Sequence, residues 1–524
     1  MAKLPNIVHR PKEFTEEELK VLGEAFTDPL GDVFAIKNSV DQTDGGAVGC
    51  RYSRSDKGVP RLWIDEFVPN PDRGLEFYDK VLAQYGDDSV AEMGSGRLCI
   101  EGISNVSTRI LENPRISIQF IEKSSRYVPI KKFNGQWPFY QEPKIMGSEF
   151  ANDFVDLIDI LFTSYQRFLE EGKKFYRERF PQEEGVTDRA YEKSIEAKSL
   201  DVIARRLLPT AWLTDVAAYG NFRAWETAIL GWQSHPMQEP RDIANAAYEE
   251  LNQVAPAFFR KIVDEKGEAH RKYLRETREG MQLLANSLSS DLKPESPGIK
   301  LVSYDSEAEA KVAAALLFEY SNGLSLEQLQ SKVKSLPSEE RKKILSEAMQ
   351  RRENRRHKPP RAFENAVYTF EFLDNIGVYR EIRRHRMNTQ EAQNYTTRLG
   401  YDIHQDVVEA GLEGELKGIM EKVDEVHTEI RSKYPLEAQY AATLGNLHRW
   451  YMTMNAREFY FLTELRSTPE AHPDARRIAQ SMYRLVENVH PWVTEQSKFI
   501  NLSGEEHLER LRSEVRIDKK LGNS

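Results

Sequence analysis

Two stretches of the chain place apolar residues three and four positions apart, the period of one helix face. One is SEFANDFVDLIDILFTSYQRFLEEGKKFY (Ser148–Tyr176), the other LEGELKGIMEKVDEVHTEIRSKY (Leu412–Tyr434). That period predicts long helices with one face turned to a core. A different pattern begins after SLSSDLKPESPG (Ser287–Gly298), a run rich in Ser and Pro that reads as a linker. Beyond it IKLVSYDS predicts a strand and EAEAKVAAALLFEY a helix, so a second domain starts there. The expected organisation is residues 1–290, a linker at 291–298, and residues 299–524, each half being α/β (α+β) with a mixed sheet and long helices.

The halves resemble one another. ARRLLPTAWLTDVAAYGNFRAWETAILGWQSHP (Ala204–Pro236) answers AQYAATLGNLHRWYMTMNAREFYFLTELRSTPEAHP (Ala438–Pro473), with Asn221-Phe-Arg223 matching Asn455-Ala-Arg457. Arg205 then matches Gln439, each lying 16 residues upstream of the asparagine (221 − 205 and 455 − 439). Both stretches proceed to His-Pro and a helix. Upstream, DDSVAEMGSGRLCIEGISNVSTRILENPRISIQFIEKSSRY parallels PRAFENAVYTFEFLDNIGVYREIRRHRMNTQEAQNYTTR. The pattern reads as two diverged copies of one domain.

Charge and composition narrow the function. The net charge of −10 argues against a general nucleic-acid coat or a basic membrane binder. RRENRRHK (Arg351–Lys358) reads as exposed helix surface, with an anion site as the alternative. Cys50 and Cys99 make neither a disulfide framework nor a metal knuckle, and Cys99 is expected to be an inert, partly buried thiol. No metal site is predicted. No apolar run approaches the roughly 18 residues of a membrane span, and MAKLPNIVHRPKEF lacks the apolar core of a signal peptide, so a cytoplasmic protein is expected.

The segment EIRRHRMNTQEAQNYTTR (Glu381–Arg398) gathers arginines beside amides and hydroxyls. Guanidinium forks match phosphate oxygens, although a solvated basic helix end would look similar. In an extended segment Glu122, Ser124 and Arg126 would share a face and offer an acceptor, a hydroxyl and a cation. On a helix, Asn455, Phe459, Leu462 and Arg466 fall on one stripe, with Asn455 and Arg466 roughly 16 Å apart.

Taken together, ENAVYTFEF followed by RRHRMNT, Asn455-Ala-Arg457, Leu465-Arg466 and His472, with Glu122, Ser124, Arg126 and Tyr127 in the first half, resemble the flavin-dependent thymidylate synthase (ThyX) family in duplicate. The resemblance implies reductive methylation of dUMP to dTMP, with methylenetetrahydrofolate as carbon donor and FAD reduced by NADPH as hydride source. It implies flavin contacts from Arg384, His385, Arg386, Asn455 and Arg457, with Asn221, Arg223 and Ser89 from the first half. Nucleotide contacts would come from Glu122, Ser124, Arg126, Arg205, Arg398 and Arg466, with Ser124 and Arg466 in the catalytic role. Because family members are homotetramers with shared sites, a tandem chain implies a homodimer. Binding of nucleic acid or membrane is not expected.

The halves depart from the family pattern in complementary ways. The first has Asn113-Pro114-Arg115 in place of Arg-His-Arg and Trp232 in place of Arg466; the second has Gln439 in place of Arg205 and Asn394-Tyr-Thr396-Thr-Arg398 in place of Glu-x-Ser-x-Arg. Two composite arrangements follow, of which at most one is expected to be productive. One joins Arg205 to Arg466 and Arg398; the other joins Arg384, His385 and Arg386 to Glu122, Ser124 and Arg126, with Trp232 and Gln439 beside them. The alternative is a catalytically degenerate relative that binds nucleotide or flavin, or serves assembly.

Overall fold

The computed structural model describes residues 3–80, 91–114, 116–295, 298–504 and 507–522. In chain order the first half contributes β1 (Ser95–Ser104), β2 (Ile118–Glu122), α1 (Ala151–Arg179), α2 (Asp188–Lys198), β3 (Leu213–Asn221), α3 (Phe222–Gln233) and α4 (Gln238–Val254). The second contributes β4 (Gly298–Tyr304), β5 (Val367–Asn375), α5 (Ile376–Ile382), β6 (Asn388–Ala392), α6 (Glu413–Lys433), β7 (Leu447–Asn455), α7 (Ala456–Arg466), α8 (Pro473–Val489) and α9 (Leu511–Leu521). The α+β class is as expected, but in place of mixed sheets β2 with β3, β4 with β5, β5 with β7 and β6 with β7 all pair antiparallel. One sheet has the order β1-β3-β2 and the other β4-β5-β7-β6, so β5, β7 and β6 repeat the first arrangement and β4 is added at its edge.

The chain forms two compact units. One takes in the residues up to Ile103, with Ser107–Glu122 and Thr214–Leu292. The other takes in Ser104–Val106, Lys123–Leu213 and the residues from Lys293 onward. In the first unit, Phe222, Trp225, Ile229 and Trp232 from α3 pack with Ile118, Val216, Leu251 and Phe258 in one apolar core. Trp232 meets Trp225 edge to face at 6.2 Å, so the position matching Arg466 is spent on packing.

In the second unit α1 buries Phe154, Leu157, Ile158, Leu161, Phe162, Tyr165, Phe168, Leu169 and Tyr176, the face its periodicity predicts. Gly172 sits where a Cβ would fall 2.3 Å from Ser199 Oγ, so a close helix crossing requires glycine there. Helix α6 buries Leu416, Ile419, Met420, Val423, Val426 and Ile430 by the same rule. Strand β5 turns Tyr368, Phe370 and Phe372 inward, and the Phe370 ring stacks on Phe459 of α7 at 6.3 Å.

The short stretch after Arg205 shows how the copies meet within this unit. Pro209 bridges Thr443 in antiparallel fashion; the Thr210 N–H donates to the Ala442 carbonyl at 2.8 Å and the Leu444 N–H to the Leu208 carbonyl at 2.9 Å. Under the alignment of Arg205 with Gln439, Pro209 pairs with its own counterpart (439 − 205 and 443 − 209 both give 234). A self-complementary contact of this kind defines a local two-fold relation.

Three local expectations are corrected. Cys99 is exposed, because β1 alternates and the thiol falls on its outer side. RRENRRHK is not helical: the preceding helix ends at Met349, and the turn is tied by the Arg352 guanidinium donating to the His357 carbonyl at 2.5 Å and by the His357 N–H donating to the Asn354 carbonyl at 3.1 Å. The extended segment carrying Glu122 stops there, and Ser125–Tyr127 turn away, so Glu122, Ser124 and Arg126 do not share a strand face.

Candidate functional site

A charged cluster fills the second unit where the two copies meet. Arg205 lies in the tight turn Ala204–Leu207, immediately after a wide helical turn, Ser199–Ile203, that holds Asp201. Gly377 makes room for it, since a Cβ there would stand 3.0 Å from Arg205 Nη2. Arg126 projects from the turn after β2, Glu381 from α5, and Arg466 is the last residue of α7. Asn375 fixes the start of α5, its side-chain oxygen accepting from the Val378 N–H at 2.8 Å.

Two buried carboxylates collect the guanidinium groups. Arg126 Nε donates to Asp201 Oδ2 at 2.8 Å, and Arg205 Nη1 lies 3.3 Å from Asp201 Oδ1 and 3.5 Å from Glu381 Oε1. Arg466 Nη1 lies 3.5 Å from Glu381 Oε2, while its Nη2 donates to the Glu381 backbone carbonyl at 2.6 Å. Burial pushes the Glu381 carboxyl up, but Arg126, Arg466, Arg205 and Arg384 outweigh it and hold the group well below the usual carboxylate range. Asp201 follows the same balance: burial disfavours its charge, and the guanidinium groups led by Arg126, with Arg205, more than restore it. For Arg205 and Arg466 burial prevails and lowers the guanidinium pKa, against the pull of the carboxylates.

Two histidines flank the cluster as neutral rings. His472 caps α8: its Nδ1 accepts from the Asp474 N–H at 3.0 Å and its Nε2 meets the Asp201 carbonyl at 3.2 Å. Burial pushes it down to about 4. His385 Nε2 accepts from Arg466 Nε at 3.0 Å, and Nδ1 lies 2.9 Å from Glu458 Oε1; burial lowers its pKa, against the carboxylate of Glu458. Tyr127 borders the cluster, with the guanidinium groups of Arg126 and Arg510 at 5.2 and 4.1 Å from its ring centroid.

Of the residues expected to bind nucleotide, Arg126, Arg205 and Arg466 come together, which merges parts of the two composite sites. Arg398 does not join them: it is exposed, and its charge acts on His427. The local match is nevertheless close, since the Arg126 N–H donates to Ser124 Oγ and the Arg398 N–H to Thr396 Oγ1, both at 3.2 Å. Gln439 is buried and satisfies backbone groups, its Oε1 accepting from the Tyr395 N–H at 3.1 Å and its Nε2 donating to the Leu436 carbonyl at 2.9 Å. Glu122 is buried at the end of β2 in the other unit.

Among the expected flavin contacts, Arg384 is exposed and Arg386 half-buried, on the turn between α5 and β6 with His385 between them. Asn455 and Asn221 are equivalent helix caps, their side-chain oxygens accepting from the N–H of Glu458 at 2.9 Å and of Ala224 at 2.8 Å. Arg457 holds the Pro359 carbonyl at 2.8 Å and Glu364 at 3.0 Å, and Arg223 pairs with Glu92 at 2.6 Å. Ser89, like Arg115, lies outside the described residues. Sequence reasoning missed Asp201, Glu381 and Glu458 as site residues; the one available signal was the four-residue spacing of Asp201 and Arg205. A cavity of about 890 Å³ elsewhere in this unit is lined by Asp374, Asp402, His404, Asp474 and Arg477, among others, and by none of the cluster's arginines. Among the described residues no His, Cys, Asp and Glu group could hold a metal ion, and no helix is long and apolar enough to cross a membrane.

Comparison with known proteins places the chain in a family. The family model described as "Thymidylate synthase complementing protein" matches twice, over residues 47–257 and 300–492. A UPF0159 protein of Chlamydia muridarum is 34% identical over 526 residues, spanning 96% of this chain and 98% of its own length. A flavin-dependent thymidylate synthase of Mycobacterium sp. is 30% identical over 194 residues, 36% of this chain and 72% of that protein. Among solved structures, a UMP/dUMP methylase, PolB, from Streptomyces cacaoi bound with 5-Br dUMP covers 38% of this chain and 93% of its own at 17% identity, with a TM-score of 0.30. Arginines converging from both copies, a repeated strand order and a family match over both halves agree: the chain belongs to the flavin-dependent thymidylate synthase (ThyX) family, whose model it matches twice in tandem.

Proposed function

We propose that the second unit binds a pyrimidine nucleotide of the dUMP type and, with FAD, methylates it reductively to dTMP. Methylenetetrahydrofolate would supply the carbon and NADPH the reducing equivalents. The observation carrying this reading is the convergence of Arg126, Arg205 and Arg466 from both copies on Glu381 and Asp201. Arg126 and Arg205 suit the nucleotide phosphate, being forked cations held in place by buried carboxylates. Arg466 suits the base, where a fixed cation stabilises negative charge developing on the ring. Ser124 would add a hydroxyl beside Arg126.

The donor set also fits a flavin. Arg384 and Arg386 flank His385 on one turn, with Arg384 open to solvent, and could pair with a diphosphate. Nearby, the half-exposed Phe461 ring lies 5.4 Å from His385 and 6.0 Å from Lys358 Nζ, offering an aromatic face beside cations. When bound, the flavin would deliver hydride. The protein's part is to orient the nucleotide and hold charge at its base.

A second reading is a nucleotide-binding relative without the chemistry. It is favoured by the two carboxylates that already neutralise two of the three arginine charges. Absorbance at flavin wavelengths, calorimetric titration with dUMP, and dTMP formation from methylenetetrahydrofolate and NADPH separate the two. Flavin, nucleotide binding and product together support the enzyme; nucleotide binding without product supports the silent relative; no dUMP affinity overturns both.

A further inference from the structure

We propose that His385, the middle residue of the Arg-His-Arg motif, is a positioning residue for Arg466 and not a flavin ligand: as a neutral ring protonated on Nδ1 it ties Glu458 at the start of α7 to Arg466 at its end. The inference rests on the reading that Arg466 meets a nucleotide base.

Both ring nitrogens are already engaged. Arginine has only donors, so the contact from Arg466 Nε at 3.0 Å requires His385 Nε2 to be a bare acceptor. The proton must then sit on Nδ1, where Glu458 Oε1 at 2.9 Å accepts it. Glu458 and Arg466 are eight residues apart on one helix (466 − 458), or about 12 Å of rise. The Glu458 and Arg466 side chains reach toward each other, and the imidazole links them, with the Phe461 ring edge-on at 5.4 Å.

The backbone of His385 is fixed as well. Its N–H donates to the Ile382 carbonyl at 3.1 Å, and its own carbonyl accepts from Asn388 Nδ2 at 2.5 Å. Side chains locked in this way hold a neighbour in place with little residual freedom. Of the four remaining Arg466 N–H groups, one on Nη2 donates to the Glu381 carbonyl at 2.6 Å, and Nη1 lies 3.5 Å from the Glu381 carboxylate.

The test uses two variants that each keep half of the ring. His385→Asn retains a donor near the Nδ1 position but leaves Arg466 without an acceptor. His385→Gln retains an acceptor near the Nε2 position. His385→Asn is expected to weaken dUMP binding about tenfold, approaching Arg466→Ala, while His385→Gln stays within about threefold of wild type. FAD content should be unchanged in both. In ¹⁵N spectra of the wild-type chain, the ring signals assigned by their loss in His385→Asn should report a protonated Nδ1 and a bare Nε2, and the Nε2 signal should move in Arg466→Ala. Loss of FAD with unchanged dUMP affinity, or a proton on Nε2, would overturn the proposal. If wild type binds no dUMP, the functional reading fails by itself, and the ring signals still decide this one.

Discussion

Glu381 occupies the place an incoming anion would seek, with Arg205, Arg466, Arg126 and Arg384 all acting on it. Removing its charge leaves buried cations uncompensated, which costs about 3 kcal/mol. Glu381→Gln should therefore lower thermal stability, and phosphate or dUMP should restore more stability to this variant than to wild type; a thermal shift series with and without ligand checks it. Because Arg205 and Arg466 both bear on Glu381, their losses should not add. The double variant Arg205→Ala/Arg466→Ala is expected to depart from the sum of the singles by about 1 kcal/mol or more in dUMP affinity, measured by calorimetric cycles. The arginines were legible in the sequence because they sit in spaced motifs. Asp201, Glu381 and Glu458 were not, since a carboxylate on a helix looks the same whether it faces water or three guanidinium groups.

Elements set these groups by their ends. Asn375 and Asn455 close β5 and β7 and cap α5 and α7, and His472 caps α8 while touching Asp201. Since His472 is held neutral at about 4 against an ordinary value of 6.5, it contributes stability that is present above pH 6.5 and lost as pH falls from there through 4. The full shift is worth roughly 3 kcal/mol. His472→Asn, which keeps a capping acceptor, should move the acid-unfolding midpoint to lower pH, as followed by circular dichroism. Long helices were readable from periodicity alone. The end of β2 was not, because Glu-x-Ser-x-Arg alternates like a strand until a Ser124 hydroxyl bonded to the Arg126 N–H turns the chain.

At the scale of the molecule, Lys123–Leu213 of the first copy folds in the same unit as the residues from Lys293 onward. A chain cut within 291–298 should therefore give halves that fold poorly alone, and co-expression should recover both secondary structure and any nucleotide binding. Circular dichroism of the separate and co-expressed halves tests this. The sequence revealed two copies because their motifs recur in order; it could not reveal which segments pack together, since that depends on contacts some 230 residues apart.

Pro209 facing Thr443, its own counterpart, has a genetic consequence. In a two-fold contact between identical chains every substitution is made twice, so a change useful on one side must be tolerable on the other. Joined in one polypeptide, the sides are independent loci. Position 205 can keep a guanidinium while position 439 becomes an amide, and position 466 can keep its charge while position 232 becomes an indole. Each position is then released to mutate by itself: Trp232 serves the apolar core of the first unit and Gln439 satisfies backbone groups in the second, while Arg205 and Arg466 keep their charge.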